Sequence, residues 1–158
     1  MTIERAILIL IWLVAVILIP VAIPKDRTRE AIVVFFANQM ITWILSVLFV
    51  EMGWFENPVR EFPKAAGTNF TDNYLLYPLT STLFYLYYPR EKSLLIRVLY
   101  QASYIVVACI YMQTIETYTD LLEFVHFNIF YNGIVLFLCV NAVRFYGHWF
   151  FKKHQKEG

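Results

Sequence analysis

The sequence predicts an all-α integral membrane bundle of five transmembrane helices, with the N-terminus outside and the C-terminus cytoplasmic. Three observations carry this expectation. Of the 158 residues, 59% are hydrophobic and only 16% charged, against roughly 45–50% and 25% in an ordinary soluble domain. Five stretches approach the about 20 apolar residues that cross a hydrocarbon core of about 30 Å at 1.5 Å per residue. With five spans, Lys25, Arg27, Arg29, Arg90, Lys92, Arg97, Arg144, Lys152, Lys153 and Lys156 share one side, and only Arg5, Arg60 and Lys64 lie on the other. That is the bias that sets cytoplasmic loops. The aromatic fraction of 18% agrees, because Tyr and Trp favour the membrane–water boundary. A net charge of +1 leaves no basic excess for nucleic acid.

The first span, residues 6–23, has no charged side chain, is interrupted by Pro20, and is closed by Pro24 and the charges from Lys25 to Glu30. It differs from a signal peptide, since Glu4 and Arg5 cancel, no A-x-A triplet follows, and the positive charge comes after the apolar run. A retained helix is expected. The second span, 31–50, is uncharged and carries Asn38, Gln39, Thr42 and Ser46. In the outer loop 52–72, Asn57 suits an N-cap, Pro58 the first helical position, and Pro63 a stop. The loop is therefore expected to hold a short interfacial helix, with Trp54, Phe55 and Phe62 in the headgroups. The third span, 73–88, is short and contains Pro78; without it, Arg90, Lys92 and Arg97 would lie outside. The fourth, 94–115, carries Arg97 near one end, where its stem lets the charge reach the headgroups. The fifth, 121–143, carries Glu123, His126, Asn128, Asn132 and Asn141. With no linker, low-complexity tract or repeat, residues 1–158 read as a single transmembrane domain.

Polar residues inside the spans form stripes. Asn38, Thr42 and Ser46 stack at intervals of four with Gln39 beside them, span three offers Asn73, Tyr77, Thr80 and Ser81, span four Arg97, Gln101 and Tyr104, and span five Asn128 and Asn132. Such stripes serve first as packing surfaces, through interhelical hydrogen bonds of about 0.6 to 2 kcal/mol. The alternative is a polar pocket or passage. No span has an ionisable group at its centre, which weakens a proton-relay reading. Acids gather at the outer ends instead, at Glu51, Glu116, Asp120 and Glu123, with His126 close by. Carboxylates with an imidazole can hold a divalent cation or do acid–base work. They can equally be solvated, with Arg60 and Lys64 as counter-ions. No compact motif such as H-E-x-x-H supports a metal, so the metal and any cofactor stay open. Glu123 and His126, opening an apolar helix, are the ones expected to be partly desolvated. Cys109 and Cys139 read as packing residues, and no C-x-x-C, nucleophile elbow, P-loop or dinucleotide fingerprint is present. Asn69-Phe70-Thr71 matches a glycosylation sequon.

The segment Pro58-Val59-Arg60-Glu61-Phe62, with Glu51 before it and Tyr77-Pro78 and Tyr88-Pro89 after it, resembles the pattern of an uncharacterised family of small multi-pass membrane proteins of endospore-forming Gram-positive bacteria. The resemblance implies a bacterial plasma membrane and the five-helix shape, and carries over no catalytic residue. It draws notice to Arg60-Glu61 between two prolines, which suits a fixed re-entrant or interfacial element. Arg60 is expected to make a bidentate bond with Glu51, Glu116 or Glu123, pinning the loop over the bundle mouth.

Three functions follow, in this order. The first is a non-enzymatic binding or accessory envelope protein, whose spare helix faces are completed by the bilayer, a second copy or a membrane-protein partner. The second is a small transporter or cation-binding protein with an acidic outer mouth, which requires a continuous polar cavity from Glu116, Glu123 and His126 toward Asn38, Gln39 and Gln101. The third is an intramembrane enzyme using Glu51, Glu116, Glu123 or His126, which must converge to within about 3 Å of a shared reacting group.

Overall fold

Long apolar runs free of helix breakers form helices in a medium that cannot hydrogen-bond the backbone. The computed structural model of the chain describes residues 2–154, with side chains at 2–152. It contains α1 (Ile3–Ala22), α2 (Thr28–Glu51), β1 (Phe55–Glu56), α3 (Tyr77–Leu86), α4 (Leu94–Tyr118), β2 (Glu123–Phe124) and α5 (Ile129–His154). The segments Ile3–Ala22, Lys25–Glu51, Leu94–Tyr118 and Ile129–Lys152 are long and apolar enough to cross a bilayer. Successive helices run in opposite directions. The sequence-expected basic side therefore becomes one end of the bundle, where Arg27 donates to the Leu86 carbonyl and to Glu30 at 2.6 Å. Lys156 and the side chain of Lys153 lie outside the described residues.

The shortest helix is the most enclosed. Residues Pro78, Leu79, Ser81, Thr82, Phe84, Tyr85 and Leu86 of α3 are all buried, chiefly against α2 and α5. Such a helix does not need a lipid-facing surface, which is why its apolar signal is weak. Its lead-in is a π-helical turn, Asp72–Leu76. The cause is Pro78, which has no N–H and whose ring clashes with a carbonyl one turn back. Two carbonyls of that turn are taken up by α2 side chains: Thr42 Oγ1 donates to Asn73 O at 3.2 Å and Gln39 Nε2 to Tyr74 O at 3.4 Å. Helix α1 is the converse, with only Leu8 and Ala15 buried, and is tied down where Trp12 Nε1 donates to Thr71 Oγ1 at 2.9 Å.

The loop 52–72 does not contain the expected interfacial helix. Gly53, at φ 67°, ends α2 in a Schellman turn, with Gly53 N donating to Val50 O and Trp54 N to Phe49 O. The chain then pairs as a strand, Phe55 opposite Phe124 and Glu56 opposite Glu123. Asn57, instead of capping a helix, donates from Nδ2 to Leu121 O at 2.6 Å, and Val59 N donates to Asp120 O at 2.9 Å. The backbone of this segment thus finds its partners in the 119–128 loop, and buried Phe55 packs inward among Phe49, Trp54 and Phe127. Two loops make one cap.

The fifth span also shifts. Asn128 is the N-cap of α5, accepting Phe130 N at 3.0 Å and Tyr131 N at 3.1 Å. Residues 121–128 belong to the cap, so Glu123 and His126 open no membrane helix. At the far end Gly147 lets α5 close on α2 and α3, since a Cβ there would lie 2.8 Å from the Tyr85 ring and 3.1 Å from Val34.

Candidate functional site

Helical spacing builds the site. Asn38, Thr42 and Ser46 face inward from α2, Asn73, Tyr77 and Ser81 recur at intervals of four along the π turn and α3, and α5 adds Asn132, Cys139 and Val140. Tyr104 and Met112 of α4 close one side, and Phe55, Asn57, Leu122 and Phe127 of the cap close the top. Together with Asn69 and Asp72 they enclose a cavity of about 80 Å³.

Part of this lining is saturated. Asn73 Nδ2 donates to Ser46 Oγ at 3.0 Å and to Asn69 O at 2.8 Å. The Asp72 side chain accepts from Tyr111 OH at 3.1 Å, and Ser81 shares a hydrogen bond with Tyr104 OH at 3.2 Å. Other groups are empty-handed. Asn38 is 1% exposed, and neither its Nδ2 nor its Oδ1 has a partner. Asn57 Oδ1 and Asn69 Nδ2 are buried and unpartnered as well. A buried polar group left without a partner costs about 1–3 kcal/mol, so a cluster of them marks space shaped for something else. Two acceptors and two donors point to a guest that both donates and accepts. A bare cation would leave the amide donors of Asn38 and Asn69 unserved; an anion would face Asp72 and two amide oxygens. At about 30 Å³ per water, the space suits about two or three waters or a solute of a few heavy atoms.

Arg60 and Glu61 take a different role from the expected one. Arg60 bonds no carboxylate: Nε donates to Ala66 O at 2.8 Å and Nη1 to Asn57 O at 2.6 Å, with Pro63 O at 3.4 Å. These carbonyls are presented by the loop's own turns and are closer than any outer acid. Glu61 accepts from Phe70 N at 3.0 Å, from Thr71 N at 2.9 Å and from the Thr71 hydroxyl. Asn69 Oδ1 accepts Asp72 N at 3.2 Å. The first amides of the third helical segment are therefore capped by one carboxylate and one carboxamide, on the positive end of the helix dipole.

The outer acids lie apart from the cavity lining. Glu51, Glu123 and His126 are exposed, and Glu116 is engaged by Gln113 Nε2 at 2.7 Å. Glu123 stands opposite Glu56 in the strand pair. Among the described residues no group of three or more His, Cys, Asp and Glu comes together as a metal would require. Of the polar stripe, Asn38, Thr42 and Asn132 line the cavity, Gln39 clamps the π turn, and Asn128 caps α5. Gln101 lies on α4 with Nε2 buried and unpartnered. The sequon is enclosed, with Asn69 and Thr71 both buried, which leaves no room for a glycan. Asp72, at the end of the outer loop, is buried and lines the cavity. The signal that could have found it is the run Asn69, Asp72, Asn73, three short polar side chains leading straight into an apolar helix.

The fold and the cavity define a class: a helical, multi-span, membrane-type protein with a capped pocket, largely apolar, that holds a few unpartnered carboxamide atoms. No family model matches the chain, and no curated protein or solved structure does.

Proposed function

We propose that this is a non-enzymatic binding protein of the bacterial plasma membrane that holds one small, amphoteric polar solute in the cavity beneath the two-loop cap. The cap lies outside and the C-terminus is cytoplasmic. The orientation rests on the gathering of Lys25, Arg27, Arg29, Arg90, Lys92, Arg97, Arg144 and Lys152 at the end opposite the cap. The observation that carries the reading is the wholly buried, wholly unpartnered carboxamide of Asn38 on the cavity wall. Glu51, Glu123 and His126 are exposed and Glu116 is engaged by Gln113, so the reading rests on the cavity and not on the outer acids. The test is a thermal-unfolding screen of the purified protein against urea, small carboxamides and small amino acids, with mass spectrometry of solutes extracted from freshly isolated protein. A stoichiometric solute that raises the unfolding temperature of wild type and not of Asn38→Leu supports the reading. A cavity holding water alone, with no solute shifting wild type, contradicts it.

A second reading, a small cation-coupled transporter, is favoured by Asp72, a buried carboxyl whose side-chain partner is the Tyr111 hydroxyl. Ionisable residues within membrane bundles mark pathways more often than packing. Solute or cation flux into proteoliposomes that is abolished by Asp72→Asn would move the conclusion to it.

A further inference from the structure

A second, larger void lies beside the first cavity and lacks its cluster of carboxamide side chains. It is a groove of about 520 Å³ between α3 and α4, walled by Leu76, Leu83, Phe84, Val107, Ala108 and Leu136 together with tyrosine rings. Four of the five tyrosine hydroxyls on it, all but that of Tyr77, are turned to protein partners. Tyr104 bonds Ser81 and Thr80, Tyr111 bonds Asp72, Tyr100 reaches Phe84 O, and Tyr87 reaches Ala22 O. What remains facing the groove is ring and aliphatic surface, which asks for hydrocarbon. Val107 and Tyr87 on the groove are 66% and 54% exposed, so it opens on the surface that a bilayer would cover. Protein interiors do not keep apolar voids of this size empty, and at this depth the filling material at hand is an acyl chain.

Beyond the residues that line the groove, α4 continues toward the basic end with two polar side chains. Along α4, Arg97 and Gln101 continue the stripe of Tyr104, Ala108 and Tyr111 at helical spacing, toward the basic end. Arg97 Nε and Gln101 Nε2 are both buried and both lack a partner. Both atoms are donors only, one of them on a cation. Nearby, Arg90 lies over the Tyr85 ring at 4.8 Å and Arg144 over the Tyr88 ring at 4.4 Å, which adds positive field to this end. The complement of two unpaired donors and a basic surround is a phosphodiester.

We propose that the α3–α4 groove is a binding site for one anionic phospholipid, its acyl chain between Leu83 and Val107 and its phosphate held by Arg97 and Gln101. This site is independent of the guest in the polar cavity, although Tyr77, Tyr104 and Leu136 belong to the walls of both. The lipid would thus brace those shared side chains from the membrane side.

The test is native mass spectrometry of the full chain in detergent, titrated with palmitoyl-oleoyl phosphatidylglycerol or with phosphatidylcholine of the same chains. Wild type is expected to retain one phosphatidylglycerol with about a tenfold preference over phosphatidylcholine. Arg97→Gln loses the preference and still retains one lipid of either kind, and Arg97→Lys restores part of it. Ala108→Phe and Val107→Phe, placing bulk in or at the rim of the groove, lose retention of both lipids; whichever variant melts as wild type does is the one scored. Replacement of phosphatidylglycerol one for one by a polyprenyl phosphate supports the same site with an isoprenoid source for the chain. Equal retention of the two phospholipids by wild type overturns the proposal, as does unchanged retention in a folded groove-filling variant.

Discussion

The Arg60–Glu61 pair and the Asn38–Asn69 lining are both polar, both lie toward the capped end of the bundle, and handle their hydrogen bonds in opposite ways. Arg60 and Glu61 direct their groups at backbone carbonyls and amides of one loop and one helix start. Asn38 keeps both ends of its carboxamide empty, and Asn69 keeps its Nδ2 empty while its oxygen caps a helix. Saturated polar groups hold a fold; unsaturated ones facing a cavity are held ready for a guest, at a cost in stability. Asn69 stands on the boundary, one atom in each role. The outer loop thus scaffolds the site through Arg60 and Glu61 and lines it through Asn57 and Asn69.

This contrast can be broken or sharpened by substitution, from the largest effect to the smallest. Glu61→Ala strips the carboxylate from the start of the third helical segment and should lower stability by about 2–4 kcal/mol, since bonds to a charged group contribute about 1.5–3 kcal/mol and the helix dipole adds some tenths. Denaturant titration in mixed micelles reads it out, and a loss under about 0.5 kcal/mol would dissolve the distinction between the two regions. At the opposite end, where α5 packs closely on α2 and α3, Gly147→Ala places a Cβ 2.8 Å from Tyr85 and should cost about 1–3 kcal/mol. The same titration measures it, and the polar cavity's solute occupancy should be unaffected. Smallest of all, Glu123→Ala and His126→Ala should each change stability by less than about 0.5 kcal/mol. They should leave bound solute unchanged by mass spectrometry, because both side chains are exposed and neither lines the cavity.

Much of the helical architecture was legible because lipid-facing helices announce themselves. Residues 31–50 and 94–115 fall within α2 and α4, and 6–23 runs one residue past the end of α1, where unbroken apolar runs leave no other structure open to the backbone. The fifth span was displaced because Leu121, Leu122, Val125 and Phe127 are as apolar as any membrane residue, yet serve a cap that packs on itself. Hydropathy does not separate a helix that faces lipid from a loop that faces a protein core. The cap was unreadable for the same reason a strand pair usually is: Phe55 finds Phe124 sixty-nine positions away, and nothing local records it. In the site, the i, i+4 stripe of α2 was visible, while its partners Asn57, Asn69 and Asp72 arrive through a loop whose path depends on Arg60 and Glu61. Pairing Arg60 with an acid was reasonable by charge. It failed on distance, because the turns at Asn57, Pro63 and Ala66 present carbonyls to the guanidinium first.

The central claim is that the empty hydrogen bonds of the cavity belong to a guest and not to the fold. The most direct measurement is the denaturant stability of solute-free Asn38→Leu beside solute-free wild type. The two side chains are close in size, so the substitution removes the unpartnered amide and little else. The account predicts that the variant is as stable as wild type or more stable by up to about 3 kcal/mol, the cost of an unsatisfied buried group, and that it binds no solute. A variant destabilised as strongly as Glu61→Ala would contradict the account, and would place Asn38 among the residues that hold the bundle together.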